Sequence, residues 1–150
     1  MEKLLFVCLG NICRSHLAEG IILHLKDKHN LKLEVDSAGT ASYHVGEAPD
    51  KRTVANAKKN GIDLSSLRAR QFIVSDFDHF DKIYVMDNNN YENVARLAKN
   101  ENQKSKVSLF LDEDVEGTNV EVPDPYYGTE KDFEYVFQLV YKKCERLIGM

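Results

Sequence analysis

Residues 3 to 28 read KLLFVCLGNICRSHLAEGIILHLKDK and decide the fold of this 150-residue chain. The apolar run Lys3–Val7 predicts a short buried strand, and Ser15–Lys28 is predicted to form a helix after it. The loop between them therefore leads from a strand end into a helix N-terminus. Free N–H groups and the positive end of the helix dipole attract anions at such a position.

The loop from Cys8 to Ser15 carries the residue types that a phosphate site needs. Gly10 allows close backbone approach and Asn11 tolerates left-handed geometry, so successive amides can converge on an anion. Arg14 supplies a planar guanidinium that can bind two phosphate oxygens. A thiol at a helix N-terminus beside an arginine is favoured as thiolate, so we predict that Cys8 is a nucleophile beneath the anion. This segment is called the phosphate loop below.

Several residues in and beside the phosphate loop have two interpretations. Cys8 can also be an inert cysteine at the end of a buried strand, since free cysteines usually lie in the core. Ser15 can donate a hydrogen bond to the thiolate, cap the helix, or do both. Cys13 is either a packing thiol or the redox partner that traps oxidised Cys8 in a disulfide. His16 is expected to be neutral near the helix N-terminus, without a catalytic role.

The string as a whole resembles the phosphate loop of the low-molecular-weight protein tyrosine phosphatases, which reads C-x-G-N-x-C-R-S. Leu9 and Ile12 fill its variable positions as in the eukaryotic-type branch. A second string, DPYYG at positions 124 to 128, resembles the acid loop of that family. The resemblance implies that Asp124 protonates the leaving phenolate and then activates water. Pro123 and Pro125 flank Asp124 and would stiffen this acid loop.

The resemblance also assigns supporting roles around these two loops. Ser37 would hydrogen-bond the loop asparagine, and Asp87 would orient the loop arginine or a neighbouring loop. Tyr43 and Tyr126 would be aromatic walls of the substrate cleft. Tyr43 can equally be a half-exposed loop residue, and Asp87 can equally cap a helix. The positions implied in phosphate binding are Leu9, Gly10, Asn11, Ile12, Cys13 and Ser15.

Two positions depart from the family pattern. His16 stands where the family usually has proline, which only pre-sets the backbone of the first helical turn. Leu67 stands where many members have a histidine that braces the loop asparagine. The network that supports Asn11 is therefore expected to differ here, with Arg68 or Arg70 as candidate replacements.

The alternation of short strands and helices along the chain predicts the α/β class. We expect a single domain over residues 1–150, with a doubly wound, parallel four-stranded sheet and helices on both faces, as in flavodoxin-like folds. The predicted strands are Lys3–Val7, Leu33–Ser37, Lys82–Met86 and Lys106–Phe110, and the predicted helices are Ser15–Lys28, Lys51–Asn60 and Asn88–Lys99. A last amphipathic helix opens with a Thr129–Asp132 capping pattern and holds Cys144 on its core face.

The composition of the chain indicates its cellular compartment and its possible partners. The net charge is −4 and the basic residues are scattered, which argues against nucleic-acid binding. Three cysteines, an odd number, and the lack of a signal-peptide or membrane-span pattern predict a protein of the cytoplasm. The five histidines show no metal-ligand spacing, and we predict neither a metal nor another cofactor.

Together these features predict a phosphotyrosine protein phosphatase that works as a monomer through a cysteinyl-phosphate intermediate. Its partners would be phosphotyrosine-containing proteins, with phosphate or other oxyanions as inhibitors. Three alternatives share the phosphate loop. An arsenate reductase would need two further redox cysteines, which residues 14–143 lack. A protein arginine phosphatase favours threonine in place of Ile12, and a non-catalytic phosphate-binding module would be expected to have lost Cys8, Arg14 or Asp124.

Overall fold

The computed structural model describes residues 1–111 and 121–149, which include every residue predicted for the site. Within these residues four parallel strands form one sheet in the order β2-β1-β3-β4, which confirms the predicted doubly wound α/β fold. The strands are β1 (Glu2–Cys8), β2 (Leu33–Gly39), β3 (Lys82–Val85) and β4 (Val107–Leu109). The helices are α1 (Arg14–His29), α2 (Lys51–Lys59), α3 (Asp76–His79), α4 (Asn88–Ala95), α5 (Glu101–Ser105) and α6 (Glu130–Leu147).

Side chains of the central strand β1 alternate between two hydrophobic clusters. Leu4, Phe6 and Cys8 belong to the cluster that includes residues of α1 and α6. Leu5 and Val7 belong to the cluster that includes residues of α3 and α4. All five side chains are buried, as the apolar run predicts for a strand covered on both faces. Cys8 therefore ends β1 on the α1 side of the sheet.

The carboxyl ends of the strands bring the predicted site segments to one edge. In the sheet register Cys8 pairs with Gly39 and Val7 pairs with Val85, so β1, β2 and β3 end side by side. From β1 the chain first adds β2 on one side of the sheet and then β3 on the other side, so the strand order reverses at β1. Ligands of open α/β sheets bind at such a reversal. The phosphate loop lies at this position.

The helix predicted from Asn88 to Lys99 is shorter in the structure, and a separate helix follows the predicted segment. Helix α4 ends at Ala95, and α5 begins after Asn100. The Asn100 side chain accepts a hydrogen bond from the Gln103 backbone at 2.8 Å and caps the new helix. The Gln103 side chain in turn accepts from Lys99 N at 2.8 Å, which stabilises the turn between the two helices.

The C-terminal helix α6 agrees with its predicted pattern. Thr129 N donates to the carboxylate of Asp132 at 2.7 Å at the helix start. Cys144 is fully buried in the cluster shared with α1, as expected for a core thiol. In residues 1–111 and 121–149 no helix is long and apolar enough to cross a membrane.

Candidate active site

The phosphate loop has the predicted geometry of an anion-binding turn. Cys8 is the last residue of β1 and Arg14 is the first residue of α1. Asn11 adopts a left-handed backbone with φ of 55°, which lets the loop reverse direction within a few residues. The loop therefore ends at the amino terminus of a 16-residue helix, whose free N–H groups and dipole favour an anion.

The sulfur of Cys8 has one side-chain hydrogen-bond partner in the described residues. Its Sγ lies 3.0 Å from the hydroxyl oxygen of Ser15, and both side chains are buried. The alternative that Ser15 caps the helix is wrong, because Cys13 is the N-cap residue and Ser15 lies inside α1. The hydroxyl of Ser15 is thus placed to stabilise a thiolate.

Asn11 joins the phosphate loop to β2. Its Nδ2 donates to the hydroxyl of Ser15 at 2.8 Å and to that of Ser37 at 2.9 Å, so the predicted contact between Ser37 and Asn11 is present. Its Oδ1 accepts a hydrogen bond from the backbone N–H of Arg70 at 2.9 Å. Leu67, at the position of the family histidine, packs against the hydrophobic core instead. Asn11 is therefore braced by the Arg70 backbone.

Gly39 permits a close approach of β2 to the phosphate loop. A Cβ atom at this position would lie 2.8 Å from the carbonyl oxygen of Leu9 and 3.1 Å from the backbone nitrogen of Asn11. Because both neighbours are backbone atoms, any side chain here would displace the loop. Thr40 N and Ala41 N also donate to the carbonyls of Cys8 and Leu9 at 2.9 Å, which fixes the loop against the end of β2.

We expect Gly39→Ala to lower kcat/KM by about a hundredfold, since misplacing a reacting group by about 1 Å can cost that much. Steady-state kinetics on an aryl phosphate measures the effect. Gly61→Ala is the matched control: it also adds one methyl group, in open space at a φ of +84°. That variant should lose about 1–2 kcal/mol of stability and keep its kinetics. Unchanged kinetics in Gly39→Ala would mean that the loop tolerates displacement.

Arg14 is held in place by three oxygen atoms. Its Nη1 donates to Asp87 Oδ2 at 2.8 Å and to the carbonyl of Val122 at 3.0 Å, and its Nη2 lies 3.7 Å from Asp124 Oδ2. Burial disfavours the charged guanidinium, but the Cys8 sulfur, Asp87 and Asp124 outweigh this effect and raise the pKa of Arg14. Arg14 is therefore a fixed cation at the floor of the site.

Asp87 performs both of the roles that were considered for it. Its Oδ2 accepts from Arg14, as the resemblance implies. Its Oδ1 accepts from the backbone of Asn90 at 2.8 Å and completes a capping box at the start of α4. One carboxylate can do this because its two oxygens face different partners.

The acid loop places Asp124 at the mouth of the site. Asp124 Oδ1 accepts a hydrogen bond from Tyr126 N at 3.0 Å, which leaves Oδ2 on the side of Arg14. The Asp124 side chain is 47% exposed, so it can reach an atom that enters from solvent. The Asp124 carboxyl group and the Arg14 guanidinium therefore face the same space.

That space is a cavity of about 270 Å³ between the two loops. Tyr43 and Tyr126 form part of its wall and remain 73% and 41% exposed. The guanidinium of Arg52 lies 5.3 Å from the centre of the Tyr126 ring, within range of a cation–π contact. The lining residues are Cys8, Leu9, Gly10, Ile12, Cys13, Arg14, Tyr43, His44, Asp50, Asp124, Tyr126 and Tyr127.

Three residues of this wall were not predicted from the sequence, namely His44, Asp50 and Tyr127. Asp50 could have been predicted as a helix N-cap, because an aspartate directly before the first residue of a helix is typical of that position. Its side chain caps α2 through the backbone of Arg52 at 2.8 Å, and its N–H donates to the carbonyl of Ile12 at 2.6 Å. His44 and Tyr127 had no pattern of their own in the sequence.

The other two polar residues of the loop region lie away from the cavity. Asn11 and Ser15 are fully buried and are absent from its lining, so their side chains support the loop from below. Burial lowers the pKa of His16 to about 4, which keeps its ring neutral as expected. The cause is burial of the ring and not the helix dipole, from which the neutral state was predicted.

Cys13 differs from Cys8 although both are in the same loop. Burial raises the pKa of the Cys13 thiol to about 12, against a hydrogen bond of 3.1 Å with the hydroxyl of Thr53. Cys13 is therefore a protonated thiol at neutral pH. No disulfide is formed by Cys8, Cys13 or Cys144 in this structure.

The site as a whole is a loop at a helix N-terminus with a thiol at its floor, an arginine beside it and a carboxylate above it, on a doubly wound α/β sheet. Comparison with known proteins gives the same result. The family model of the low molecular weight phosphotyrosine protein phosphatases matches residues 3–149. The enzyme of that name from Saccharomyces cerevisiae is 41% identical over 140 residues, which cover 90% of this chain and 86% of the yeast protein.

A bacterial relative and a solved structure match equally well. Low molecular weight protein-tyrosine-phosphatase YfkJ of Bacillus subtilis is 39% identical over 151 residues, which cover 99% of this chain and 95% of the YfkJ protein. A protein tyrosine phosphatase from Entamoeba histolytica, solved with Hepes in its active site, has a TM-score of 0.90 at 43% identity, with coverage of 99% of this chain and 95% of its own. The chain therefore belongs to the low molecular weight phosphotyrosine protein phosphatase family, which confirms the resemblance seen in its motifs. Relatives from bacteria and eukaryotes match at similar identity, so the eukaryotic-type branch stays a prediction.

Proposed function

We propose that this phosphatase hydrolyses phosphotyrosine in proteins, with Cys8 as nucleophile, Arg14 as oxyanion ligand and Asp124 as acid and base. The observation that carries the proposal is the convergence of these three side chains on one cavity, from segments more than a hundred residues apart. A thiol nucleophile, a fixed guanidinium and a proton donor are the groups that such a reaction requires.

In the first step the Cys8 thiolate attacks phosphorus and an S–P bond forms as the P–O bond to the tyrosine breaks. Arg14 and the loop amides bind the equatorial oxygens, where charge is spread in the transition state. Asp124 gives its proton to the departing phenolate oxygen. The position of Asp124 at the cavity mouth, 3.7 Å from Arg14, supports this direction of approach.

In the second step water attacks the phosphorus of the cysteinyl-phosphate and Asp124 takes its proton. The S–P bond breaks, inorganic phosphate leaves, and Cys8 returns as a thiolate. The Ser15 hydroxyl, 3.0 Å from the sulfur, stabilises the negative charge of this leaving group. No side chain beyond these is needed to balance protons or electrons.

The cavity shape supports an aromatic phosphate ester as the substrate. Cys8 is only 3% exposed at the floor, so the phosphorus must be carried inward by a long side chain. Tyr43 and Tyr126 flank the entrance, where they can pack against a flat ring. The apolar side chain of Ile12 lies in the same wall and disfavours a charged substrate group.

We expect kcat/KM to be far higher for phosphotyrosine peptides than for matched phosphoserine, phosphothreonine or phosphoarginine peptides. Ile12→Thr should narrow the gap between phosphotyrosine and phosphoarginine, because a hydroxyl replaces apolar surface in the wall. Parallel kinetics on peptides of one sequence with each phosphoresidue measures this preference. A wild-type preference for phosphoarginine, or reduction of arsenate with a thioredoxin-type donor, would contradict the assigned substrate while leaving the family assignment intact.

We also propose Cys13 as the redox partner of Cys8. A thiol with a pKa near 12 resists direct oxidation, but it lies in the same loop as the nucleophile and can attack a Cys8 sulfenic acid with loss of water. This reaction protects Cys8 from further oxidation until a thiol reduces the disulfide.

Mild hydrogen peroxide should therefore inactivate the enzyme reversibly, with a Cys8–Cys13 disulfide found by peptide mass mapping. Cys13→Ser should be inactivated at a similar initial rate but should recover less activity with dithiothreitol, because its Cys8 oxidises further. Sulfinic acid at Cys8 beside a free Cys13, under mild oxidation of the wild type, would make Cys13 a packing residue.

The remaining proposals concern context. We propose that residues 1–150 form one domain, a view supported by the family match over residues 3–149. A nucleophilic thiol needs reducing conditions to stay active, which supports action in the cytoplasm. We expect a monomer that acts on phosphotyrosine-containing proteins and is inhibited by oxyanions that occupy the phosphate loop.

A further inference from the structure

Glu19 is a buried carboxyl group that the reaction described above does not use. It lies on α1, one turn after Ser15, and is only 8% exposed. Its Oε1 accepts a hydrogen bond from the hydroxyl of Ser37 at 2.5 Å. Since Ser37 also contacts Asn11, the carboxylate stands at the far end of a chain of contacts that reaches the sulfur of Cys8.

The direction of each hydrogen bond in this chain follows from the groups at its ends. An ionised carboxylate can only accept, so the single proton of the Ser37 hydroxyl goes to Glu19. The Ser37 oxygen is then left to accept from Asn11 Nδ2 at 2.9 Å. The amide of Asn11 cannot be reversed, because its Oδ1 accepts from the backbone of Arg70.

The same logic fixes the end of the chain at the nucleophile. Asn11 Nδ2 has two protons, one for Ser37 and one for Ser15, at 2.9 and 2.8 Å. Ser15 therefore accepts from Asn11, and its own proton is free to point to the Cys8 sulfur at 3.0 Å. A donor aimed at the sulfur stabilises it both as resting thiolate and as leaving group.

We propose that Glu19 is a positioning residue for the phosphoryl transfer: its carboxylate takes the proton of Ser37 and so orders the chain Ser37–Asn11–Ser15 that donates to the Cys8 sulfur. The proposal rests on the assignment of Cys8 as nucleophile. Glu19 contacts neither substrate nor the sulfur and acts only through this chain.

The electrostatic surroundings of Glu19 are consistent with a costly buried charge. Burial raises the pKa of Glu19 to about 7, and the negative charge of Asp36 adds to this rise. The hydrogen bond from Ser37 has the opposite effect and lowers the pKa. Arg70 is the nearby cation that lowers it, but its guanidinium is shared with Asp36 at 3.0 Å and Asp76 at 3.0 Å. Leu67, in place of the family histidine, adds no charge. The ionised carboxylate of Glu19 is thus a cost to the stability of the fold.

The pKa rise sets the sign of its effect on stability. Because the pKa is higher in the folded chain than its ordinary value of 4.5, the contribution of Glu19 to stability is fully present below that value. It is lost as the pH rises through about 7. At pH 8, replacing the carboxylate by a neutral side chain should therefore leave the melting temperature equal or higher.

Two variants at this position test the proposal. At pH 8, Glu19→Met removes the acceptor and should lower kcat about tenfold with KM little changed, which corresponds to one weakened contact in the transition state. Glu19→Gln keeps an oxygen that can accept the Ser37 proton and should recover part of the loss. Both variants should melt at or above the wild-type temperature, so their loss of activity cannot be explained by a loss of stability.

Alkylation of Cys8 by iodoacetamide at fixed pH gives a second readout that needs no substrate. Removal of a buried negative charge would by itself favour the thiolate and speed alkylation equally in both variants. We expect instead that Glu19→Met is alkylated more slowly than Glu19→Gln, because only the latter keeps the chain ordered. In a Ser15→Ala background, where the chain is cut next to the sulfur, the two variants should behave alike.

Asp27→Asn is the control, since it removes one carboxylate from the exposed end of the same helix. It should keep wild-type kinetics.

If Glu19→Met folds poorly, Ser37→Ala replaces it in the test. Ser37→Ala should lose as much activity as is expected for Glu19→Met, and adding Glu19→Gln to Ser37→Ala should cause no further loss. Wild-type kcat in Glu19→Met, or a loss that follows the melting temperature, would overturn the proposal. Hydrolysis by the wild type and its absence in Cys8→Ser would still support the proposed function.

Discussion

Cys8→Ser is expected to abolish hydrolysis of aryl phosphates. The serine hydroxyl stays protonated at neutral pH, so neither the attack on phosphorus nor the departure from it that we propose for the sulfur remains possible. The fold should be retained, because the side chain changes by one atom at the end of β1. Steady-state turnover of an aryl phosphate measures the loss, and binding of inorganic phosphate by calorimetry checks that the loop is intact.

Cys144→Ala is the matched control for this variant. Its thiol is also fully buried, but it lies on α6 in the core and does not line the cavity. It should keep normal turnover with some loss of stability from the smaller side chain. A Cys8→Ser enzyme that turns over within about tenfold of wild type would rule out covalent catalysis by this residue.

Asp124→Ala should lose roughly 10²–10⁴ in kcat on phosphotyrosine, the usual contribution of a positioned acid. The loss should shrink on substrates with very good leaving groups, because an acidic phenol departs without a proton. A series of aryl phosphates that differ in leaving-group pKa measures this: the variant should depend on leaving-group pKa more steeply than wild type.

Asp124→Asn separates the acid role from a role in loop geometry. Its amide oxygen can still accept from Tyr126 N, as Asp124 Oδ1 does at 3.0 Å, but the side chain cannot supply a proton. Both variants should therefore be equally impaired on phosphotyrosine. Full activity in Asp124→Asn, or the same leaving-group dependence in variant and wild type, would require another acid, and Asp87 would be tested next.

The sheet and the long helices could be predicted because local pattern and final packing agree. The apolar run of β1 is buried on both faces, and α6 follows its capping pattern and its apolar spacing. The short helices were missed because they depend on tertiary contacts. Helix α3 has only four residues and includes Asp76, which is buried and pairs with Arg70.

The residues of the candidate site could be predicted where they belong to one continuous sequence motif. The phosphate loop is continuous in sequence, so Cys8, Asn11 and Arg14 could be placed before the fold was known. Contacts between distant segments could not be read in the same way. Glu19 belongs to no motif in the sequence, and its contact with Ser37 forms only when β2 packs beside α1.

The central claim is that the phosphoryl group passes through the sulfur of Cys8. Rapid mixing of wild-type enzyme with an aryl phosphate, acid quench and peptide mass spectrometry tests it directly. The account predicts a transient phosphoryl group on the peptide that contains Cys8, which forms with the first release of phenol and decays as inorganic phosphate appears. Two results together would contradict it. Phenol and phosphate would be released at the same rate, and the phosphoryl group would be found on another residue, or on none, under conditions that preserve a cysteinyl-phosphate.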